Sequence, residues 1–197
     1  DLILSGDRIL KIEGVLSGSL SYIFNTFSAE TPFSQVVRQA RKRGYTEPDP
    51  RVDLNGIDVR RKLIILARET GLSLEASEVH IDNILPDDCQ QAKTVDAFFE
   101  AIKKADDQFE ERRREAEAAG HRLRYIARLV EGRASISLDP VGPDNPFYSL
   151  SGSDNMIVFT TERYKDRPLV VRGPGAGAEV TAAGVFSEII TIGNYLS

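Results

Sequence analysis

Apolar residues recur at helical spacing through the N-terminal half of the chain. Leu20, Ile23, Phe24 and Phe27 fall at i, i+3, i+4 and i+7, one face of a helix that opens near Gly18 and Ser19. Phe33, Val36, Val37 and Ala40 repeat the pattern. They predict a second helix with Thr31 as N-cap, Pro32 at the first helical position and Gly44 as the stop. The segment Tyr45-Thr46-Glu47-Pro48-Asp49-Pro50 then reads as a stiff turn, because a residue before proline is pushed out of the helical region. A third helix is predicted over 53–70, with Val59, Leu63, Leu66 and Ala67 buried and Gly71 closing it. A long charged helix is predicted over 94–119, its apolar line formed by Val95, Phe98, Phe99, Ile102 and Phe109. The mixed-sign run 110–117 reads as its solvated face.

Beyond Gly120 the pattern turns to alternation. Residues 122–130 and 133–139 read as two strands of a hairpin turned at Glu131-Gly132, and 156–161 and 169–172 as further strands. Residues 180–196 read as a last helix. Helices first and adjacent strands later predict an α+β fold, with helices on one face of a mixed, largely antiparallel sheet.

Composition narrows the function classes. The chain has 197 residues, enough to bury a core without disulfides or a structural metal. Its net charge of −5 argues against nucleic-acid binding, which needs a basic face. No apolar stretch reaches the length of a membrane span, so no membrane partner is expected. The single Cys89 excludes an intramolecular disulfide, and His80 and His121 have no partners at metal-ligand spacing, so no metal is expected. The sequence starts at Asp1 without a targeting pattern, and is expected to be part of something longer.

Three stretches could carry chemistry. The first, GYTEPDPRVDLNGIDVRRK over 44–62, holds Glu47, Asp49, Asp53 and Asp58 and then Lys62. Asp58 and Lys62 stand at i, i+4, beside the apolar stripe. That pair reads either as a surface ion pair or as a lysine placed to give and take a proton. Glu47, framed by prolines, reads either as a solvated turn acid or as a binding group for an amino group. The second stretch, Ser17-Gly18-Ser19, suits either plain N-capping or a carboxylate held by free helix N–H groups. The third, GPGAGAEVT over 173–181, follows a strand and opens a helix, the setting of a dinucleotide-binding turn. It lacks the third glycine of the fingerprint, and no second strand follows to complete a βαβ unit.

Taken together, EGVLSGSLSYIFNTF, GYTEPDPRVDLNGIDVRRK and GPGAGAEVTAAGVF resemble homoserine dehydrogenase, in its substrate-binding and catalytic domain. The C-terminal third resembles the form fused to an aspartate kinase. The resemblance implies NAD(P)-dependent interconversion of L-aspartate 4-semialdehyde and L-homoserine, in threonine, methionine and isoleucine biosynthesis. It implies Lys62 as general acid/base with Asp58 beside it. It implies Gly18, Ser19, Tyr45, Glu47 and Asp53 as substrate-binding positions. Gly175, Gly177 and Thr181 match a segment facing the cofactor, NADP or NAD. Residues 1–172 are then expected to form the catalytic and dimerisation domain. The turn and helix over 173–197 would pack on a nucleotide-binding (Rossmann) domain that these residues do not contain. A homodimer, a cytoplasmic or organellar location, and inactivity of the 197 residues alone are the further expectations. Two positions depart from the family's pattern: Val52 replaces the first of two consecutive acids, and Arg60 replaces a small residue. A dimerisation module, or a regulatory amino-acid-binding module without catalysis, is the competing reading.

Overall fold

In the computed structural model, residues 2–196 are described; Asp1, read above as a boundary, and Ser197 lie outside them. Six strands form one sheet: β1 (Ile9–Val15), β2 (Val79–Ile81), β3 (Arg122–Val130), β4 (Arg133–Val141), β5 (Asn155–Thr161) and β6 (Leu169–Gly173). Their order is β2-β4-β3-β1-β5-β6. Only the β2–β4 pair is parallel. The helices are α1 (Gly18–Thr26), α2 (Phe33–Lys42), α3 (Arg51–Leu54), α4 (Ile57–Glu69), α5 (Asp87–Gln90), α6 (Val95–Lys104), α7 (Asp106–Ala118) and α8 (Ala178–Leu196). The mixed, largely antiparallel sheet with helices on one face is the α+β architecture that the periodicity predicts.

The main core lies between that helical layer and alternate residues of β3. Leu123, Tyr125, Ala127 and Leu129 point into it, as the two-residue period of a strand requires. Phe33 of α2 stacks on Phe109 of α7, with ring centroids 3.7 Å apart. On the opposite face, Val15, Ile126 and Met156 form a smaller core under the segment 142–150, through Phe147 and Leu150. Buried Arg124 fastens that segment. Its guanidinium donates to the carbonyls of Phe147 (2.9 Å), Tyr148 (3.2 Å) and Leu150 (3.1 Å). Burial pulls its pKa down to about 10.

Four details depart from the periodicity. The segment 9–15, ahead of the first predicted helix, is a strand, β1, central in the sheet; its buried Gly14 and half-buried Ile9 and Leu10 blur the alternation. Helix α2 has Pro32, not Thr31, at its cap; Asp106 of α7 instead accepts from Ser34 N (2.7 Å) and Ser34 Oγ (2.6 Å). The predicted 53–70 helix is two, α3 and α4. Gly56 sits between them at φ 70°, a left-handed conformation that glycine adopts without strain, and Asn55 Oδ1 caps Ile57 N at 2.9 Å. The predicted 94–119 helix likewise divides at Ala105, which ends α6 and precedes α7.

Candidate active site

The junction of β1 and α1 is the hub of the candidate site. β1 ends at Val15, and the chain turns through Leu16 and Ser17 into α1. Ser17 is the N-cap, its hydroxyl accepting from Leu20 N at 3.3 Å. Capping by serine is therefore the local role of this stretch. The same four residues, 16–19, also reach three other parts of the molecule.

The first is α4. Lys62 Nζ lies 2.8 Å from Asp58 Oδ2 and donates to the Leu16 carbonyl at 2.9 Å. Val59 and Leu63, on the adjoining stripe, are fully buried and fix the helix's rotation. The lysine side chain keeps 42% exposure, so it is fastened rather than sequestered. An ammonium has three N–H donors. Asp58 and Leu16 take two of them, which leaves one to point at a ligand oxygen.

The second is the proline-framed loop. Ser19 Oγ donates to Asp53 Oδ1 at 2.9 Å, and Glu47 N donates to Asp53 Oδ2 at 2.9 Å. Ser17 and Ser19 hydroxyls are 2.9 Å apart. Burial pushes the Asp53 carboxyl above the ordinary carboxylate range, and the Glu47 charge adds to this, against the pull of those two hydrogen bonds. Tyr45 stacks on Tyr22 of α1 with centroids 4.1 Å apart. The loop is braced from behind: Asp49 pairs with Arg51 at 2.6 Å, and Arg41 Nε donates to the Pro48 carbonyl at 2.8 Å. The Arg51 guanidinium holds the Asp49 carboxyl below its ordinary range. Glu47 itself stays exposed.

The third is the start of β5. A Cβ on Gly18 would stand 3.1 Å from the Ser153 carbonyl. Ser21 Oγ donates to Asp154 O (2.8 Å) and Asn25 Nδ2 to Gly152 O (2.9 Å), so α1 holds the 152–155 loop. Asn155 then meets the glycine-rich turn. A Cβ on Gly175 would overlap the Asn155 side-chain amide. Gly177, at φ 132°, has a backbone that side-chain-bearing residues rarely adopt, and its carbonyl accepts from Thr181 N at 3.0 Å. Asn155 Oδ1 is buried without a hydrogen-bond partner. A bare backbone cradle beside an unpaired amide oxygen fits a flat, amide-bearing ligand such as a nicotinamide.

The fold thus links Lys62, Asp58, Gly18, Ser19, Asp53 and the Glu47 backbone through one turn, with Tyr45 beside it. Gly175 joins them through Asn155. No residue type marks the Leu16 carbonyl, a backbone group. Asn155 hid in a Ser-Gly-Ser-Asp-Asn run that reads as turn chemistry. Val52, at the position of the missing acid, is exposed, and the Arg60 Nε is buried without a partner. A cleft of about 650 Å³ between α1, α7 and β3 is lined by none of the candidate site residues.

Comparison with known proteins gives the same reading. The homoserine dehydrogenase family profile matches residues 1–190. The chloroplastic bifunctional aspartokinase/homoserine dehydrogenase 1 of Zea mays is 51% identical over 197 residues, spanning 99% of this chain and 21% of that protein. The homoserine dehydrogenase of Schizosaccharomyces pombe is 44% identical over 200 residues, spanning 98% of this chain and 53% of that protein. A solved Candida auris protein of unknown function superposes with a TM-score of 0.93 at 42% identity, covering 98% of this chain and 56% of that one. The chain therefore spans about a fifth to a half of the relatives it matches. With the motifs, the fold and the family profile in agreement over nearly its whole length, the chain belongs to the homoserine dehydrogenase family.

Proposed function

We propose that this chain is the catalytic and dimerisation part of a homoserine dehydrogenase, interconverting L-homoserine and L-aspartate 4-semialdehyde. The observation that carries the reading is the 16–19 turn, which ties the Lys62–Asp58 pair to the Ser19–Asp53–Glu47 loop. Lys62 Nζ is the proton donor and acceptor at the substrate's C4 oxygen. In the reducing direction its third N–H stabilises the developing alkoxide and then gives the proton. In the oxidising direction the neutral amine takes the hydroxyl proton. Asp58 Oδ2 and the Leu16 carbonyl hold the nitrogen in place. Glu47 and Asp53 bind the substrate's ammonium, and Gly18, Ser19 and Tyr45 line its side of the site.

When bound, a nicotinamide dinucleotide (NADP or NAD) would supply the hydride chemistry at the substrate's C4. Gly175, Gly177 and Thr181 are the residues of this chain proposed to face it. The proposed division is 1–172 for catalysis and dimerisation, and 173–197 for docking onto a nucleotide-binding domain. Support for the second part comes from α8, which has no buried residue and exposes Phe186, Ile189 and Ile192. Support for a homodimer comes from the sheet face opposite the helical layer. There Arg128 joins Glu13 (3.2 Å), Asp139 and Ser137 in a half-buried network. Among the described residues, no helix is long and apolar enough to cross a membrane. A cytoplasmic or organellar location is proposed, the organellar option supported by the chloroplastic name of the maize relative.

The test is homoserine oxidation by the enzyme in which this domain is joined to its nucleotide-binding domain. Reduced dinucleotide should form in proportion to homoserine consumed. Failure to oxidise homoserine with either NAD or NADP would reject the function. A folded protein that bound homoserine without turnover would favour the regulatory reading.

A further inference from the structure

The orphaned oxygen of Asn155 is the least explained polar atom in this part of the molecule. A buried amide oxygen left unpaired has lost its water without a replacement, so such an atom calls for a partner. Its surroundings say where the partner comes from. Asn155 opens β5 and pairs in register with Gly173 of β6, two residues before Gly175. Its amide nitrogen and Cγ press on Gly175 so closely that any Cβ there would collide. Its Oδ1 faces the other way, 4.0 Å from where a Cβ of Gly18 would stand. The side chain therefore bridges the glycine-rich turn and the N-terminus of α1.

The residue is also held firmly. The loop before it is bonded to α1 by Ser21 and Asn25, and Asp154 pairs with Arg172 of β6 at 3.0 Å. Arg124 fastens the segment just upstream at Leu150. An acceptor fixed this way is preorganised for one N–H donor.

We propose that Asn155 Oδ1 is a ligand acceptor, receiving a hydrogen bond from an N–H of the bound reactants at the meeting of substrate and cofactor. This rests on the function proposed above. Two groups offer that chemistry: the carboxamide NH2 of a nicotinamide and the ammonium of the amino-acid substrate. Gly175 lies against the nitrogen side of the amide and Gly18 towards its oxygen side, so both donors are tested, the carboxamide first.

The experiment compares wild type with Asn155→Ala and Asn155→Asp, in the enzyme joined to its nucleotide-binding domain. Dinucleotide binding is measured by fluorescence without amino acid, using reduced cofactor and its acid analogue, in which a carboxylate replaces the carboxamide. Binding of homoserine is compared with that of 4-hydroxybutyrate, which lacks the ammonium. Wild type should prefer the carboxamide form, and Asn155→Ala should lose about tenfold of that preference, as one hydrogen bond of ~1.4 kcal/mol predicts. Asn155→Asp keeps an acceptor oxygen and should retain it. If the preference lost is instead that for homoserine over 4-hydroxybutyrate, the donor is the substrate ammonium. If Asn155→Ala fails to fold, the Asp variant and the wild-type preferences decide alone. Unchanged preferences in a folded Ala variant, or wild type indifferent to both N–H groups, would overturn the proposal. Loss of wild-type homoserine turnover would instead count against the function, since dinucleotide discrimination is read without it.

Discussion

Asp53 and Glu47 show how much one side chain's surroundings decide. Glu47 lies in the proline-framed loop and Asp53 in α3 just after it, yet only Asp53 is tied to α1 by its side chain, and burial holds its carboxyl above the ordinary range. The sign of the pH effect follows. Between the ordinary and the raised value, the folded chain keeps a proton that the unfolded chain has lost, so this group's contribution to stability falls as pH rises through that window. Asp53→Asn can keep both hydrogen bonds, because the Ser19 hydroxyl accepts as well as donates. The melting temperature of wild type relative to Asp53→Asn should therefore fall as pH rises from about 4, the free carboxylate value, through the raised one. A relative rise would contradict the burial argument. Glu47→Ala, at an exposed position, should leave stability within about 0.5 kcal/mol and raise mainly the KM for homoserine. An unchanged KM would reduce Glu47 to a turn residue. At this scale the Asp58–Lys62 pairing was legible from i, i+4 spacing alone. The fastening of Lys62 to a backbone carbonyl was not, because every residue carries one.

The break between α3 and α4 positions the candidate site at the level of elements. A continuous helix over 53–70 would hold Asp53 and Asp58 in one rod; the Asn55-Gly56 turn lets Asp53 reach Ser19 while Asp58 stays with Lys62. The dipeptide is a breaker signal, which the apolar stripe from Val59 to Ala67 masks in the periodicity. Gly56 also abuts Tyr125, whose hydroxyl is buried without a hydrogen-bond partner. Burial pushes that phenol's pKa up. Gly56→Ala meets both a collision with Tyr125 and a strained φ, and should cost about 2 kcal/mol or more by denaturant unfolding. Tyr125→Phe removes an unpaired buried hydroxyl and should be neutral or stabilising. A loss of more than about 1 kcal/mol would mean that the hydroxyl has a partner. Strands β1 and β2 escaped the sequence reading for different reasons. β1 is nearly buried on both faces and so lacks clean alternation, while β2 is three residues long and exists through its parallel pairing with β4.

Across the whole molecule, the helix–sheet layering was readable because both periods are strong over long runs. The assembly was less so, since partners leave only exposed or half-shielded surfaces behind. The sheet face opposite the helical layer and α8 are the two surfaces on which the proposed dimer and the proposed docking rest. Light scattering of the enzyme should give twice the protomer mass at micromolar concentration; a monomer would remove the dimer proposal. The chemistry proposed for the site converges on one nitrogen. The most direct test is therefore steady-state kinetics of Lys62→Ala in the enzyme joined to its nucleotide-binding domain. Losing the proton carrier should lower kcat by a factor of about 10² or more, with little change in homoserine binding. A variant that kept its turnover number would contradict the central claim that Lys62, held by Asp58 and the Leu16 carbonyl, carries the proton.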